Sequence, residues 1–254
     1  MVERRWTTVA TASAGTLRLH ERWVGSGPPV VFVHGLAVSS RYFVPTMRAL
    51  AATHTCRAPD LPGFGHSDDP PAMLGVAGLA DALADWLRTT GLTGAALLGN
   101  SAGCQFIVDC VVRHADITGP LVLVGPTTDP ATRTAQQQVM RWLWTGMSSD
   151  VAQVPLLVAD VRDAGPRRVA ATFRSVLRHR MEDQLPHVAQ PLLAVRGEHD
   201  HLVPQRWVDQ VAWLAPHGRA AVVTGAAHVV NLTRPDRLAP LVRGFLASAE
   251  GTSP

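Results

Sequence analysis

The sequence predicts an α/β protein built on a mostly parallel sheet with helices on both faces. The first observation is a set of short, continuous apolar runs, typical of strands buried in a parallel sheet. These runs are residues 29–33, 95–98, 121–124 and 192–195. The second observation is that helical patterns separate consecutive runs, and this alternation predicts parallel strands joined by crossover helices. The third is the composition: 46% hydrophobic and 17% charged residues in 254 suit a globular protein with a large core.

The elements can be assigned in order along the first half of the chain. Thr7–Thr11 and Thr16–His20 predict an antiparallel hairpin with its turn at Gly15, because the second segment alternates between apolar and polar residues. The elements that follow are strand 29–33, helix 41–51, strand 55–59, helix 74–90, strand 95–98, helix 102–114 and strand 121–124.

The pattern changes after the sixth strand. Residues 127–186 show helical periodicity and no strand, and about 60 residues is far more than a simple crossover requires. Strand 192–197, helix 205–214, strand 219–224 and helix 235–249 then complete the sheet. We therefore expect a core formed by residues 1–126 and 187–254, with 127–186 inserted as a helical cap.

Composition also limits the classes of partner. All 23 basic residues are arginines dispersed among 20 acids, with a net charge of +3, so a clustered nucleic-acid footprint is not expected. No apolar run reaches the roughly 18 residues of a membrane span, and no secretory signal follows Met1. The three cysteines are too few for a disulfide framework and predict free thiols. A cytoplasmic protein is expected, and the oligomeric state is left open.

Residues 95–104 contain the first chemical motif. The apolar run ends at Gly99 and is followed by Asn100, Ser101, Ala102 and Gly103, with a helical pattern behind them. Gly-x-Ser-x-Gly between a strand and a helix places the serine on a strained turn with its hydroxyl exposed at the end of the sheet. The pentapeptide alone is a weak signal, so the remainder of the chain has to provide a base and an acid.

Those partners are expected at the carboxyl ends of later strands, where the loops of a parallel sheet converge. Asp200 follows the strand that ends at Gly197, and His228 follows the strand that ends at Thr224. A histidine held by a carboxylate can take the proton of a serine hydroxyl. Asp129, just beyond the sixth strand, is a second candidate for the acid.

Motifs spread over the chain at these positions resemble the α/β-hydrolase superfamily, in its capped serine-hydrolase branch. They are His34-Gly35, residues 60–67 (DLPGFGHS), the Gly99–Gly103 turn, Gly197-x-x-Asp200-x-x-Val203-Pro204 and Gly225-x-x-His228. The resemblance implies an α/β-hydrolase fold: an eight-stranded, mostly parallel sheet with a helical cap inserted after the sixth strand.

The resemblance also implies roles for individual residues. Ser101 would be the nucleophile, His228 the general base and then acid, and Asp200 the group that orients His228. The backbone N–H groups of Leu36 and Ala102 would form the oxyanion hole. No cofactor is implied, and no metal is expected at Asp200, because no other acid or histidine cluster pairs with it by spacing.

The favoured function is a carboxylesterase for small to medium apolar esters. Met140, Trp144 and Val229 are tentative pocket residues, although the cap residues among them could equally form the cap's own core. One alternative is a carbon–carbon bond hydrolase of the meta-cleavage type, suggested by Asn100-Ser101, although Val229 stands where those relatives usually have tryptophan. A lactonase would use the same three residues. A ligand-binding protein without catalysis is the remaining alternative.

Overall fold

The structure is a computed structural model that describes residues 1–148 and 154–250, apart from the side chains of 142–148 and of residue 250. Its strands are β1 (Glu3–Thr11), β2 (Gly15–Val24), β3 (Pro29–Val33), β4 (Thr55–Pro59), β5 (Ala96–Asn100), β6 (Leu121–Val124), β7 (Leu192–Gly197) and β8 (Gly218–Val223). They form one sheet in the order β1-β2-β4-β3-β5-β6-β7-β8. The β1–β2 and β2–β4 pairs are antiparallel, and all other neighbouring pairs are parallel.

The described helices are α1 (Val44–Leu50), α2 (Val76–Thr89), α3 (Ala102–Arg113), α4 (Ala135–Ser148), α5 (Val154–Ala164), α6 (Pro166–Arg178), α7 (Met181–Gln184), α8 (Gln205–Leu214), α9 (Val230–Thr233) and α10 (Pro235–Glu250). Residues 41–51 were expected to form one helix, but a 3₁₀ turn over Ser40–Phe43 precedes α1. Pro45 lies in the first turn of α1, where its missing N–H costs no hydrogen bond. Within the described ranges, every helix falls short of the length and hydropathy that a bilayer span requires.

The sheet separates two hydrophobic layers. Along β3, Val31 and Val33 pack into one layer, while Val30 and Phe32 pack into the other, as the twofold alternation of a strand requires. Helices α2, α3 and α8 cover the first layer, with Trp86 among its largest buried side chains. Helices α1 and α10 cover the second layer. Burial on both faces explains why the central strands appear in the sequence as continuous apolar runs.

The fold class predicted from the sequence is confirmed. The segment between β6 and β7 contains α4, α5, α6 and α7, together with short 3₁₀ turns at Pro130–Thr132 and Leu185–His187. This segment corresponds to the predicted helical cap, and we refer to it as the cap. The turns that follow β5, β7 and β8 all lie at the carboxyl edge of the parallel strands, and they bring Ser101, Asp200 and His228 to that edge.

Candidate active site

Ser101 occupies the sharp turn between β5 and α3, with φ 58° and ψ −126°. This conformation is rare for a residue with a side chain and persists only where its surroundings enforce it. The flanking glycines are needed for close backbone packing. A Cβ on Gly103 would lie 2.2 Å from the carbonyl oxygen of Val33, and a Cβ on Gly99 would lie 2.8 Å from the carbonyl carbon of Gly103. The two glycines of the motif therefore allow α3 to pack directly against the central strands.

His228 and Asp200 form a buried pair in the loops after β8 and β7. The His228 Nδ1 atom lies 2.8 Å from Asp200 Oδ2, and the other carboxylate oxygen accepts backbone hydrogen bonds from Leu202 (2.9 Å) and Val203 (3.0 Å). A carboxylate held on both oxygens has a fixed orientation, and it fixes the imidazole that it contacts. Gly125 packs against this pair: its φ is 58°, and a Cβ there would lie 3.0 Å from His228 Nδ1.

The second candidate acid, Asp129, belongs to a different network. It is buried, and it accepts hydrogen bonds from the Ala131 N–H (3.0 Å) and from Nη1 of Arg206 (3.1 Å), which also contacts it through Nη2. It caps the 3₁₀ turn Pro130–Thr132. The hydrogen bonds thus place Asp200, and not Asp129, at the histidine.

The two candidate oxyanion-hole residues flank Ser101. Ala102 is the first residue of α3, where backbone N–H groups have no partner within the helix and the helix dipole favours negative charge. Leu36 lies in the loop after β3, immediately before Ala37, whose φ is 62°. Both residues border the same cavity as Ser101 and His228.

This cavity has a volume of about 390 Å³ and lies between the core and the cap. The cap contributes an apolar lining from α5 and α6, namely Leu157, Val161, Pro166, Val169, Ala170, Phe173 and Val176. Among the described residues, His228 and the buried Tyr42 are the only ionisable side chains on its surface. Residues 142–153 include no arginine, lysine or histidine, and their one ionisable residue is Asp150. The described lining therefore holds no arginine or lysine with which a charged substrate group could pair.

Comparisons with known proteins identify the family of this chain. A sequence match to the Alpha/beta hydrolase family covers residues 30–241. The chain belongs to this family. Its relatives include a 2-(acetamidomethylene)succinate hydrolase from Mesorhizobium japonicum, 28% identical over 91% of this chain and 92% of that protein. A pimeloyl-(acyl-carrier protein) methyl ester esterase from Xanthomonas oryzae pv. oryzae is 24% identical over 91% and 99%.

Solved structures show the same fold as this α/β-hydrolase. A thermophilic esterase from Thermogutta terrifontis superposes with a TM-score of 0.83 at 21% identity, covering 96% of this chain and 99% of that one. An enol-lactonase from Burkholderia xenovorans LB400 gives 0.77 at 20% identity, covering 95% and 100%. At these identities the comparisons support the fold, while the chemistry has to be argued from the site.

The three tentative pocket residues of this α/β-hydrolase differ in where they lie relative to the cavity. Val229 is buried and borders the cavity. Met140 does not: its side chain is 61% exposed, and Gln138 and Val139 of the same helix border the cavity instead. A helix turns by about 100° per residue, so a cavity-facing sector of α4 can include Gln138 and Val139 and exclude Met140. Trp144 belongs to α4, and its side chain lies outside the described residues.

Sequence reasoning missed the role of Tyr42, the only tyrosine of the chain. Its hydroxyl accepts a hydrogen bond from the Gly35 N–H (3.0 Å) and donates to Asn100 Oδ1 (3.1 Å). The Asn100 side-chain amide in turn donates to the carbonyl oxygens of Val124 (3.0 Å) and His228 (3.3 Å). Burial raises the pKa of Tyr42 well above its usual value, so the hydroxyl remains a donor. Asn100, which suggested carbon–carbon bond cleavage, thus links the loop after β3, through Tyr42, to the backbone of His228.

His34 is a structural part of the same loop. Its Nε2 accepts a hydrogen bond from the Leu61 N–H (3.0 Å), and its Nδ1 donates to the Gly35 carbonyl oxygen (2.8 Å). Burial lowers the pKa of His34, and the neutral imidazole provides one acceptor and one donor for these two contacts. This position therefore needs a neutral ring that joins two loops.

Proposed function

We propose that this α/β-hydrolase is a serine carboxylesterase that acts through Ser101, His228 and Asp200. The observation that carries the proposal is the His228–Asp200 hydrogen bond of 2.8 Å, formed by a histidine that borders the same cavity as Ser101. A buried pair of this kind activates a serine only when the imidazole and the hydroxyl share a space that a substrate can enter. Here the strained serine and the histidine share it.

In the proposed reaction, His228 removes the hydroxyl proton as the Ser101 oxygen attacks the ester carbonyl. The carbonyl oxygen becomes an oxyanion, which the N–H groups of Leu36 and Ala102 stabilise. Collapse expels the alcohol, which receives the proton from His228, and leaves an acyl-enzyme. Water activated by His228 then releases the acid and restores the hydroxyl of Ser101. Asp200 stabilises the imidazolium that forms in each step.

The cavity supports an uncharged, apolar acyl group as the substrate class. A carboxylate placed among Val161, Val169 and Phe173 would lose its hydration without gaining a cation, and an unpaired buried charge is strongly unfavourable. The methyl ester named for one relative fits this space better than the succinate named for another. We therefore propose a neutral ester of small to medium size.

Lactones and carbon–carbon bonds remain alternatives that the same three residues can cleave. Val229 leaves no large aromatic side chain next to His228, which favours ester chemistry over carbon–carbon cleavage. A protein that only binds ligands would not need a serine held in a strained turn beside a buried histidine–carboxylate pair.

The first test is hydrolysis of p-nitrophenyl esters from acetyl to decanoyl by the parent protein and by Ser101→Ala. We expect a rate maximum at one acyl length and a loss of at least about 10⁴-fold in Ser101→Ala. A matched ester with a terminal carboxylate should be hydrolysed far more slowly than its uncharged counterpart. Equal rates for parent and Ser101→Ala would refute the serine mechanism. Turnover of a vinylogous diketone without turnover of any ester would favour the carbon–carbon alternative.

A further inference from the structure

Helix α5 of the cap buries a carboxylate against the loop that follows β3. Asp160 is only 1% exposed. Its Oδ2 accepts the Ser39 N–H at 3.1 Å, and its Oδ1 accepts Nε of Arg41 at 2.8 Å. These contacts join positions that are more than a hundred residues apart in sequence, and they connect the cap to the core through a charged group.

The two segments joined by Asp160 also form opposite sides of the cavity. On α5, Leu157 and Val161 border the cavity, one on either side of Asp160 in sequence. On the core side, the loop includes Leu36, the proposed oxyanion donor, and Ala37 and Val38, which also border the cavity. The contacts of Asp160 therefore lie between a helix that would touch the acyl group and a loop that would touch the oxyanion.

The loop requires such support because of its backbone. Ala37 has a φ of 62°, which costs a residue with a Cβ about 1 kcal/mol or more and is held only by surrounding contacts. The Gly35 N–H is fixed by Tyr42 on one side of Leu36, and the Ser39 N–H is fixed by Asp160 on the other. The Leu36 amide thus lies between two anchors, of which one belongs to the core and the other to the cap.

Stability alone is a weak reason for burying this carboxylate. Desolvation raises the pKa of Asp160, and the Ser39 hydrogen bond and the Arg41 guanidinium only partly oppose it. Buried ion pairs are often no more stabilising than apolar residues of similar volume, but they do impose a defined geometry. The group is well suited to fixing the loop in one position.

We propose that Asp160 is a positioning residue that couples the seating of cap helix α5 to the geometry of the oxyanion loop, residues 36–41. This inference rests on the proposed serine mechanism and adds a role for the cap beyond shaping the pocket. When α5 is seated, Asp160 holds the Ser39 end of the loop and the Leu36 N–H is aimed at the developing oxyanion. When the carboxylate is lost, the loop relaxes and transition-state stabilisation falls.

Asp163 provides a matched control, because it contacts the same arginine as Asp160. Asp163, one turn further along α5, contacts Nη2 of Arg41 at 2.8 Å, but its side chain is 41% exposed. Its contact is with the guanidinium of Arg41 and not with the backbone of the oxyanion loop. Asp163→Asn therefore removes the same charge from the same guanidinium without removing the contact to Ser39.

The experiment compares Asp160→Asn and Asp163→Asn on the best p-nitrophenyl ester, with active sites counted by fluorophosphonate titration so that only folded enzyme contributes. We expect Asp160→Asn to lower kcat about 10- to 100-fold, because misplacing one oxyanion donor has effects of this order, while KM changes less than threefold. Asp163→Asn should change neither constant by more than about twofold. Affinity for a trifluoromethyl ketone of the same acyl group, whose hemiketal oxyanion occupies the hole, should fall in parallel with kcat.

Several results would overturn the inference. One is an unchanged kcat in Asp160→Asn, and another is a rise in KM alone, which would assign Asp160 to pocket shape. A third is an undiminished trifluoromethyl ketone affinity despite a slower reaction. If Asp160→Asn does not fold, Arg41→Gln is judged by the same three criteria. Ser101→Ala in parallel separates this outcome from failure of the serine mechanism, since an active Ser101→Ala would refute that mechanism whatever Asp160 does.

Discussion

The described part of this α/β-hydrolase contains two buried histidine–aspartate pairs, and the two have nearly the same geometry. His228 Nδ1 lies 2.8 Å from Asp200, and His20 Nδ1 lies 2.8 Å from Asp60. All four side chains are at most 5% exposed. Each carboxylate also accepts two backbone N–H groups, which for Asp60 come from residues 40 and 66, at 2.7 and 3.0 Å.

The pairs differ in what surrounds the imidazole. His228 borders the cavity together with Ser101. The ring of His20 packs edge-on against Trp6 and His66, with ring centroids 4.9 and 5.0 Å apart, and it is not part of the cavity lining. A held imidazole is therefore not sufficient for catalysis: the pair at His228 can serve a nucleophile, whereas the pair at His20 ties strand β2 to the loop 60–67.

The largest expected effect comes from breaking each pair with the same substitution. Asp200→Asn should lower kcat about 10⁴-fold, because the amide no longer holds the correct tautomer or stabilises the imidazolium. Asp60→Asn should leave kcat per folded enzyme within about threefold, but should lower the free energy of unfolding by about 3 to 5 kcal/mol through the loss of one partner of a buried pair. Active-site-titrated kinetics and urea unfolding measure the two quantities. Equal losses of kcat in both variants would mean that the two pairs do not have separate roles.

The difference between the pairs also shows why one of them could be predicted from sequence. Ser101 and His228 stand in short motifs whose glycines are required by close backbone approaches, at Gly99 and Gly103, or by a positive φ, at Gly225, so the pattern is local. The His20–Asp60 pair depends on strand register: Glu21 stands opposite Pro59 in the β2–β4 ladder, which brings His20 beside Asp60. Register across antiparallel strands far apart in sequence is not encoded in any local pattern.

The cap was predictable only in outline, for a related reason. Helical periodicity identifies an amphipathic helix, but a cap helix has an apolar cavity on one side and apolar core on another, so the rotation that sets which residue lines the cavity is not determined. Met140 was the tentative pocket residue on this face, whereas Gln138 and Val139 border the cavity. The contact of Asp160 with Ser39 likewise depends on how the cap packs against the core, and no residue spacing in the sequence predicts it.

A smaller expected effect is the pH dependence of the stability that the His20–Asp60 pair contributes. Burial alone would raise the pKa of Asp60, but the hydrogen bonds from His20 and from Ser40 outweigh it and lower the pKa to about 2. A carboxyl whose pKa is lower in the folded state contributes stability above its unfolded pKa of about 3.9, and this contribution is lost as the pH falls toward 2. The lowering corresponds to about 2 kcal/mol.

Urea unfolding of the parent and of Asp60→Asn between pH 2 and pH 6 tests this contribution. The difference in unfolding free energy between the two proteins should be constant above about pH 5 and should shrink as the pH falls from about 4 to 2. Asp109 has a pKa lowered to about 2 as well, but it is present in both proteins and cancels from the difference. A difference that does not vary with pH would show that the pKa of Asp60 is the same in the folded and unfolded states.

The smallest expected effect on turnover concerns a third buried carboxylate, Asp129, which pairs with an arginine instead of a histidine. Its contacts to Arg206 and to the Ala131 N–H hold the loop after β6, whereas Nδ1 of His228 is held by Asp200. Asp129→Asn should therefore change kcat by less than about threefold and reduce the unfolding free energy by about 1 to 3 kcal/mol, the cost of weakening a charged hydrogen bond. The measurement is kcat of Asp129→Asn and of Asp200→Asn, with the active sites of both variants counted by titration. A loss of kcat as large as that of Asp200→Asn would transfer the role of the acid from Asp200 to Asp129, because only a carboxylate that contacts the catalytic imidazole can govern its tautomer.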